Sequence, residues 1–302
     1  MTVLKFVVVV SLLSLTCGPS PGQPDSSRYS SFIGGSEFVV GDNRFSFMFL
    51  PDELDNLEDA NVDVEFYLYK GEVLTPKFGL PARYQEVRGL TPHIHDDGEL
   101  HEHLDLHGVY IVDRARFDTP GIWTAKVVFN SSDSVVEEMA FQVLEVSVAP
   151  NMGQKVPATR NLTIHDVDRI EDIDSHIPPD SMHEKSVAQA LEEGKPFVVV
   201  WSTPMFCMSA MCGPVTDQVI SLQARYKERV NFIHIEPWDL NVARNEGRLV
   251  PTLEFAEWKL SSEPWVYVIG GDGRVGARFE GIVSSDEIET AIHGVLGRRI
   301  DN

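Results

Sequence analysis

Cysteine is scarce in this chain of 302 residues: there are three, Cys17, Cys207 and Cys212. A secreted domain stapled by disulfides would carry more, at wider spacing, so that class is excluded. Basic residues are also few, 25 against 46 acidic ones, for a net charge of −21. Binding to nucleic acid needs a basic footprint, and so does adhesion to anionic lipid through a basic face; neither is present. No apolar run reaches the roughly 20 residues of a membrane-spanning helix. No nucleotide-binding glycine loop and no hydrolase triad is present, and Ser209 has no neighbouring base to activate it. The acidic excess serves solubility.

What is there begins with a leader. Lys5 gives the first residues a positive charge, and Phe6 to Leu15 follows as an apolar run. Its length suits the core of a signal peptide spanning residues 1–17. Thr16-Cys17-Gly18 is similar to the lipoprotein signal, in which the cysteine is lipidated, although Thr16 stands where Ala, Gly or Ser is usual. The alternative is ordinary cleavage nearby, with Cys17 discarded. Both readings place the protein outside the cytoplasm; lipidation would anchor it to the outer face of the cytoplasmic membrane. Residues 18–32 are rich in Pro, Gly and Ser and are expected as a flexible tether.

An apolar fraction of 43% leaves room for two domains with real cores. Residues 33–148 show short alternating runs, such as Val62-Asp-Val-Glu-Phe-Tyr-Leu-Tyr and Trp123-Thr-Ala-Lys-Val-Val-Phe, broken by turn residues. Strands at this spacing predict an all-β antiparallel sandwich. Thr119-Pro-Gly-Ile-Trp123, a turn feeding a strand, resembles immunoglobulin-like modules of extracytoplasmic bacterial proteins.

Five of the ten histidines cluster here: His93, His95, His101, His103 and His107. Asp97-Gly98 marks a hairpin between two His-x-His pairs. A two-residue turn would put His93 and His95 on the face away from His101 and His103, whereas a three-residue loop, Asp96 to Gly98, puts all four on one face. Four imidazoles on one face suit copper or another divalent metal such as nickel or zinc. The alternative is a solvated hairpin.

Residues 149–185 are acidic and proline-bearing and read as an interdomain linker. Residues 186–302 then alternate helical and strand patterns. Ser186 to Pro196 predicts a short helix, Phe197-Val-Val-Val-Trp201 a strand buried on both faces, and Val215 to Glu228 a helix. Val230 to Glu236 predicts a strand, Pro251 to Leu260 a helix opened by Pro, and Pro264 to Ile269 a strand. Asp272-Gly-Arg274 is a hairpin turn, Val275 to Glu280 its second strand, and Ser284 caps a last helix.

This order resembles the thioredoxin fold over residues 186–297. The likeness rests on the strand ending in Trp201-Ser-Thr-Pro-Met-Phe-Cys207, on Glu263-Pro264 opening a strand, and on the Asp272-Gly-Arg274 hairpin. Together with Met211-Cys-Gly-Pro-Val215 it is similar to thioredoxin-like domains of secreted bacterial proteins. The resemblance implies that Pro264 is a cis-proline facing the cysteines, with Glu263 before it. Val250-Pro251-Thr252 spells a familiar form of that motif but precedes a helix, so Pro264 is preferred. The resemblance also implies thiol–disulfide exchange with protein thiols or disulfides, Cys207 attacking and Cys212 resolving, with no cofactor required.

Two departures matter. Four residues separate Cys207 from Cys212 where thioredoxins have two, and Phe197 to Trp201 holds no carboxylate where thioredoxins keep a buried Asp. Five steps along one helix turn about 500°, so a disulfide needs Cys207 in the loop before the helix. The order of roles then stays open, because Cys212 would sit at the helix mouth. Two other uses of the pair remain: metal handling, similar to copper-delivery proteins that add a histidine such as His234 to two thiolates, and a structural disulfide in a binding or adaptor protein.

Overall fold

The computed structural model describes residues 31–49, 61–94, 100–129 and 136–297. The expected leader and Cys17 lie outside the described residues, as does His95. Ser31 and Phe32, placed by the sequence in the tether, begin a strand instead.

Eight strands make the first half: β1 Ser31–Ile33, β2 Phe38–Val39, β3 Gly41–Phe49, β4 Val62–Lys70, β5 Val73–Ile94, β6 Leu100–Phe117, β7 Gly121–Phe129 and β8 Val136–Leu144. They form a curled sheet in the order β1-β3-β6-β5-β4-β7-β8-β2. The long β5 joins its two halves: Val73 to Ala82 pair with β4, and Arg83 to Ile94 pair with β6. Alternation along β4 explains the curl's interior. Val62, Val64, Phe66 and Leu68 point inward and are buried, while Glu65 lies exposed. Inside, Phe45, Phe66, Phe117 and Phe141 meet Trp123, whose indole N–H donates to the Thr119 carbonyl at 3.0 Å. The first half is all β, as the patterning predicts, but it is one curled hydrogen-bonded sheet with β2 parallel to β8, where an antiparallel sandwich was expected.

The second half comprises α1 Val187–Glu193, β9 Phe197–Trp201, α2 Cys212–Tyr226, β10 Asn231–Ile235, α3 Leu240–Glu246, α4 Leu253–Glu257, β11 Trp265–Ile269, β12 Val275–Glu280 and α5 Ser285–Gly297. Its strand order is β10-β9-β11-β12, with β10 parallel to β9 and both other pairings antiparallel. This is a thioredoxin-like arrangement. Ser186 caps α1 through a reciprocal capping box with Gln189, and Gly194 ends it in the left-handed region.

Every residue of β9 is buried, and the pleat divides them. Phe197, Val199 and Trp201 face a core with Phe255, Trp258 and Tyr267. Val198 and Val200 face α2 and α5, through Val215, Val219, Ile288 and Ile292. The same core takes in Met48 of β3, Val87 of β5, and Val109 and Ile111 of β6. Helices α2 and α5 are therefore packed between the two sheets, and the halves share a hydrophobic core.

Polar contacts follow the same seam. Arg44 Nε donates to Glu287 at 2.8 Å and its Nη2 to the Ile282 carbonyl at 2.8 Å, while Arg278 reaches Glu37 at 2.8 Å. Gly281 needs its lack of a side chain there: φ is +71°, and a Cβ would meet the Gly34 carbonyl oxygen at 1.8 Å.

Residues 149–185, read from the sequence as a linker, are laid over the second half. Val156 N–H donates to Gly273 O at 3.1 Å and Ala188 N–H to Thr159 O at 2.9 Å. Met182 O accepts from His234 N–H of the edge strand β10 at 2.9 Å, which covers that edge.

Candidate functional site: a thiol pair facing a half-buried glutamate

The continuous apolar strand β9 delivers the chain to the site. Beyond Trp201 it turns through Thr203 to Ala210 before α2 begins at Cys212. Cys207 therefore lies in the loop, as the five-step spacing demands, and Cys212 is the helix's first residue. Ala210, at φ +56°, lets the backbone reverse between them. The Glu263–Pro264 peptide before β11 is cis, as the resemblance implies, while the Val250–Pro251 bond is not among the cis bonds of the described residues.

Cys207 Sγ, Cys212 Sγ and a Glu263 carboxylate oxygen all lie within 4.8 Å of one another. Both cysteines are free thiols; Cys212 is fully buried and Cys207 half-buried. Their acidities diverge. The Cys212 thiol donates to Cys207 and, with the Ser209 hydroxyl 3.3 Å away and backbone N–H groups, outweighs burial and brings Cys207 down to about 6. The start of α2 adds its positive dipole end. Burial, and then the charge of Cys207, push Cys212 well above the usual thiol range. These surroundings favour the negative charge on Cys207 over Cys212.

Glu263 supplies the carboxylate missing from β9. Burial, and then the nearby Cys207 thiolate, raise it to about 7. A carboxyl group poised there takes or gives a proton near neutral pH. Glu236, next after β10, is also raised to about 7 by burial, and accepts from Ser175 N–H at 2.8 Å.

His234 is not part of this group. Its Nδ1 lies 2.7 Å from Asp180 and its Nε2 2.9 Å from Ser202 Oγ, so the thiols have glutamate as their third partner where the copper-delivery pattern has histidine. The sequence missed what surrounds His234: Asp174, Asp180 and His183, all from the supposed linker. Three such groups within ten residues were the available signal.

In the hairpin, His93 pairs with His101 and Thr91 with His103. That is the register of the three-residue loop. A two-residue turn would have set His93 opposite Glu102. His107 pairs with Val87.

No family model matches this chain, and no curated protein matches it. Among solved structures, a thiol:disulfide interchange protein of the thioredoxin family from Chlorobium tepidum matches at 19% identity over 49% of this chain and 100% of that one, with a TM-score of 0.31. A conjugative transposon lipoprotein from Bacteroides eggerthii matches at 11% identity over 38% of this chain and 97% of that one, with a TM-score of 0.16. Likeness at this level carries nothing about activity. No helix among the described residues is long and apolar enough to cross a membrane.

Proposed function

We propose that this protein carries out thiol–disulfide exchange on protein substrates outside the cytoplasm. The observation that carries this reading is the convergence of an acidified loop thiol, a buried helix-start thiol and a raised carboxyl group at one point.

The Cys207 thiolate attacks one sulfur of a substrate disulfide, forming a mixed disulfide and releasing the first substrate thiolate. Cys212 then passes its proton to Glu263 and attacks Cys207 Sγ, closing the Cys207–Cys212 disulfide. The second substrate thiolate leaves and takes up a proton. The substrate gains two electrons and the cysteine pair loses two. Met208, beside Cys207 and 91% exposed, offers a soft apolar contact to an incoming polypeptide.

The leader pattern before Cys17 supports lipid anchoring on the outer face of the cytoplasmic membrane, and the all-β half, read as an immunoglobulin-like module, then stands between anchor and thiols. Reduction of insulin is the first assay. Cys207→Ser should abolish it, and Cys212→Ser should trap a mixed disulfide. Full activity in Cys207→Ser would end the reading.

One observation favours a second reading. Two thiols and a carboxylate within 4.8 Å of one another also match a soft metal site. Copper(I) bound by the reduced wild type but not by Cys207→Ser, with no insulin reduction, would favour it.

A further inference from the structure

Beneath the edge strand β10 lies a second cluster that thiol exchange does not use. Asp174, His183 and His234 are each 1% exposed, and the Asp180 side chain is 2% exposed. One donor atom from each lies within 4.8 Å of the rest. His183 Nε2 is 3.3 Å from Asp174 Oδ2 and 3.6 Å from Asp180 Oδ1, yet it has no hydrogen-bond partner. A buried ring nitrogen aimed between two carboxylates and bonded to neither is costly to leave so. Its neighbours are placed for a third body between them.

The tautomer of His234 follows from its own hydrogen bonds. Thr216 gives its hydroxyl hydrogen to the Cys212 carbonyl at 2.8 Å, so it accepts from Ser202 at 2.7 Å. Ser202, having given its hydrogen, accepts from His234 Nε2 at 2.9 Å. Nε2 therefore carries a hydrogen, and Nδ1 is the ring's position toward Asp180 and Asp174, 2.7 and 3.7 Å away. A metal-bound histidine is held in this way, its outer N–H fixed by an acceptor.

We propose that Asp174, Asp180, His183 and His234 form a site for a divalent transition-metal ion of the zinc class. Tetrahedral coordination at about 2.1 Å sets ligands about 3.4 Å apart. The separations of 3.3 and 3.6 Å from His183 Nε2 to Asp174 Oδ2 and Asp180 Oδ1 lie close to that value, and one donor from each of the four residues lies within 4.8 Å of the others. The 2.7 Å contact of His234 with Asp180 opens as the ion takes the proton's place. Two ionised carboxylates, two neutral imidazoles and a dication sum to no net charge, the condition burial favours. Imidazole with carboxylate suits zinc, and the absence of thiolate disfavours copper(I). A cleft of about 330 Å³ that includes His183, His234 and Trp238 in its lining gives the ion a way in. The carboxylates also accept backbone N–H groups, Asp180 N at 2.7 Å for Asp174 and Met182 N at 2.7 Å for Asp180, which hold them in place.

The test uses the full chain with Cys207 and Cys212 changed to Ser and His93, His95, His101 and His103 changed to Asn, so that no other described or suspected ligand set competes. Zinc chloride is the probe, followed by calorimetry and metal analysis. One zinc per chain is expected, with the ring nitrogen resonances of His183 and His234 moving on binding. Asp174→Asn and His183→Gln should each weaken binding by more than the 10–100-fold that outer-shell changes cause. The proposal is overturned if the parent retains no zinc, or if zinc binds without moving those two rings. Folded Asp174→Asn and His183→Gln chains that bind as the parent does overturn it equally.

Discussion

The Glu263 carboxylate and the Cys212 thiol meet within 4.8 Å, one carried on the cis-peptide step into β11 and the other on the first residue of α2. In the proposed exchange the resolving thiol's proton needs an acceptor, and Glu263 would supply it from the loop facing the cysteines instead of the strand beneath them. Burial raises both groups, so the Glu263 carboxylate, once ionised near pH 7, is a stronger base toward the Cys212 thiol than an ordinary carboxylate is.

Glu263→Gln preserves shape and removes the base. Resolution of the mixed disulfide should slow by about 100-fold, while attack by Cys207 proceeds, because general-base assistance contributes about 10²–10⁴-fold. Rapid quenching with acid, followed by mass analysis, should show the mixed disulfide accumulating in the variant. Equal lifetimes in variant and wild type would remove Glu263 from the proton path.

The pH dependence follows from Cys207. Below pH about 6 it is a thiol and unreactive; above it the thiolate forms, so iodoacetamide labelling should rise with a midpoint near pH 6. Cys212→Ala removes the largest stabilising hydrogen bond and should move the midpoint up toward the ordinary thiol range. An unmoved midpoint would assign the acidity to the helix and Ser209 alone.

The shared core predicts coupled stability. Ile111 of β6 is 1% exposed and packs in the core that holds α2 and α5. Ile111→Ala should cost about 2–5 kcal/mol. Hydrogen exchange should then lose protection in β6 and α2 together; loss confined to β6 would show that the halves unfold independently.

At Gly281 the backbone conformation and the approach of Gly34 both exclude a side chain. Gly281→Ala should destabilise the protein by more than about 1 kcal/mol in chemical denaturation. A neutral effect would mean that the contact between the first strands and β12 yields easily.

Much of the second half was legible because its signals are local. The bounds of β9 and β12 and the capped helix α1 follow from runs, caps and hairpin context, while the cis step at Pro264 was implied by the family resemblance. Helix α2 begins at Cys212, earlier than its apolar spacing indicates, because its first turn is Cys-Gly-Pro and lacks periodicity. Helix α3 was missed although Asp239 caps it and Gly247 ends it, a signal outweighed by its short length. The buried acid was sought on β9, where the family keeps it; the resemblance placed Glu263 before the proline that faces the cysteines, and the fold shows its carboxylate within 4.8 Å of both thiols. Asp174, Asp180 and His183 sit in a stretch without periodicity, and their partner His234 reaches them through the parallel pairing of β10 with β9. The fusion of the halves through one core was equally illegible, since nothing local tells Met48 and Ile111 that they are buried on the sheet's outer face.

The central claim is that Cys207 and Cys212 form an exchanging couple, and equilibrium redox titration of the full chain against dithiothreitol and glutathione buffers tests it most directly. The account predicts a two-electron transition between about −120 and −270 mV, the range of exchange proteins. A potential below about −300 mV, or failure of the two cysteines to form a disulfide at all, would contradict it.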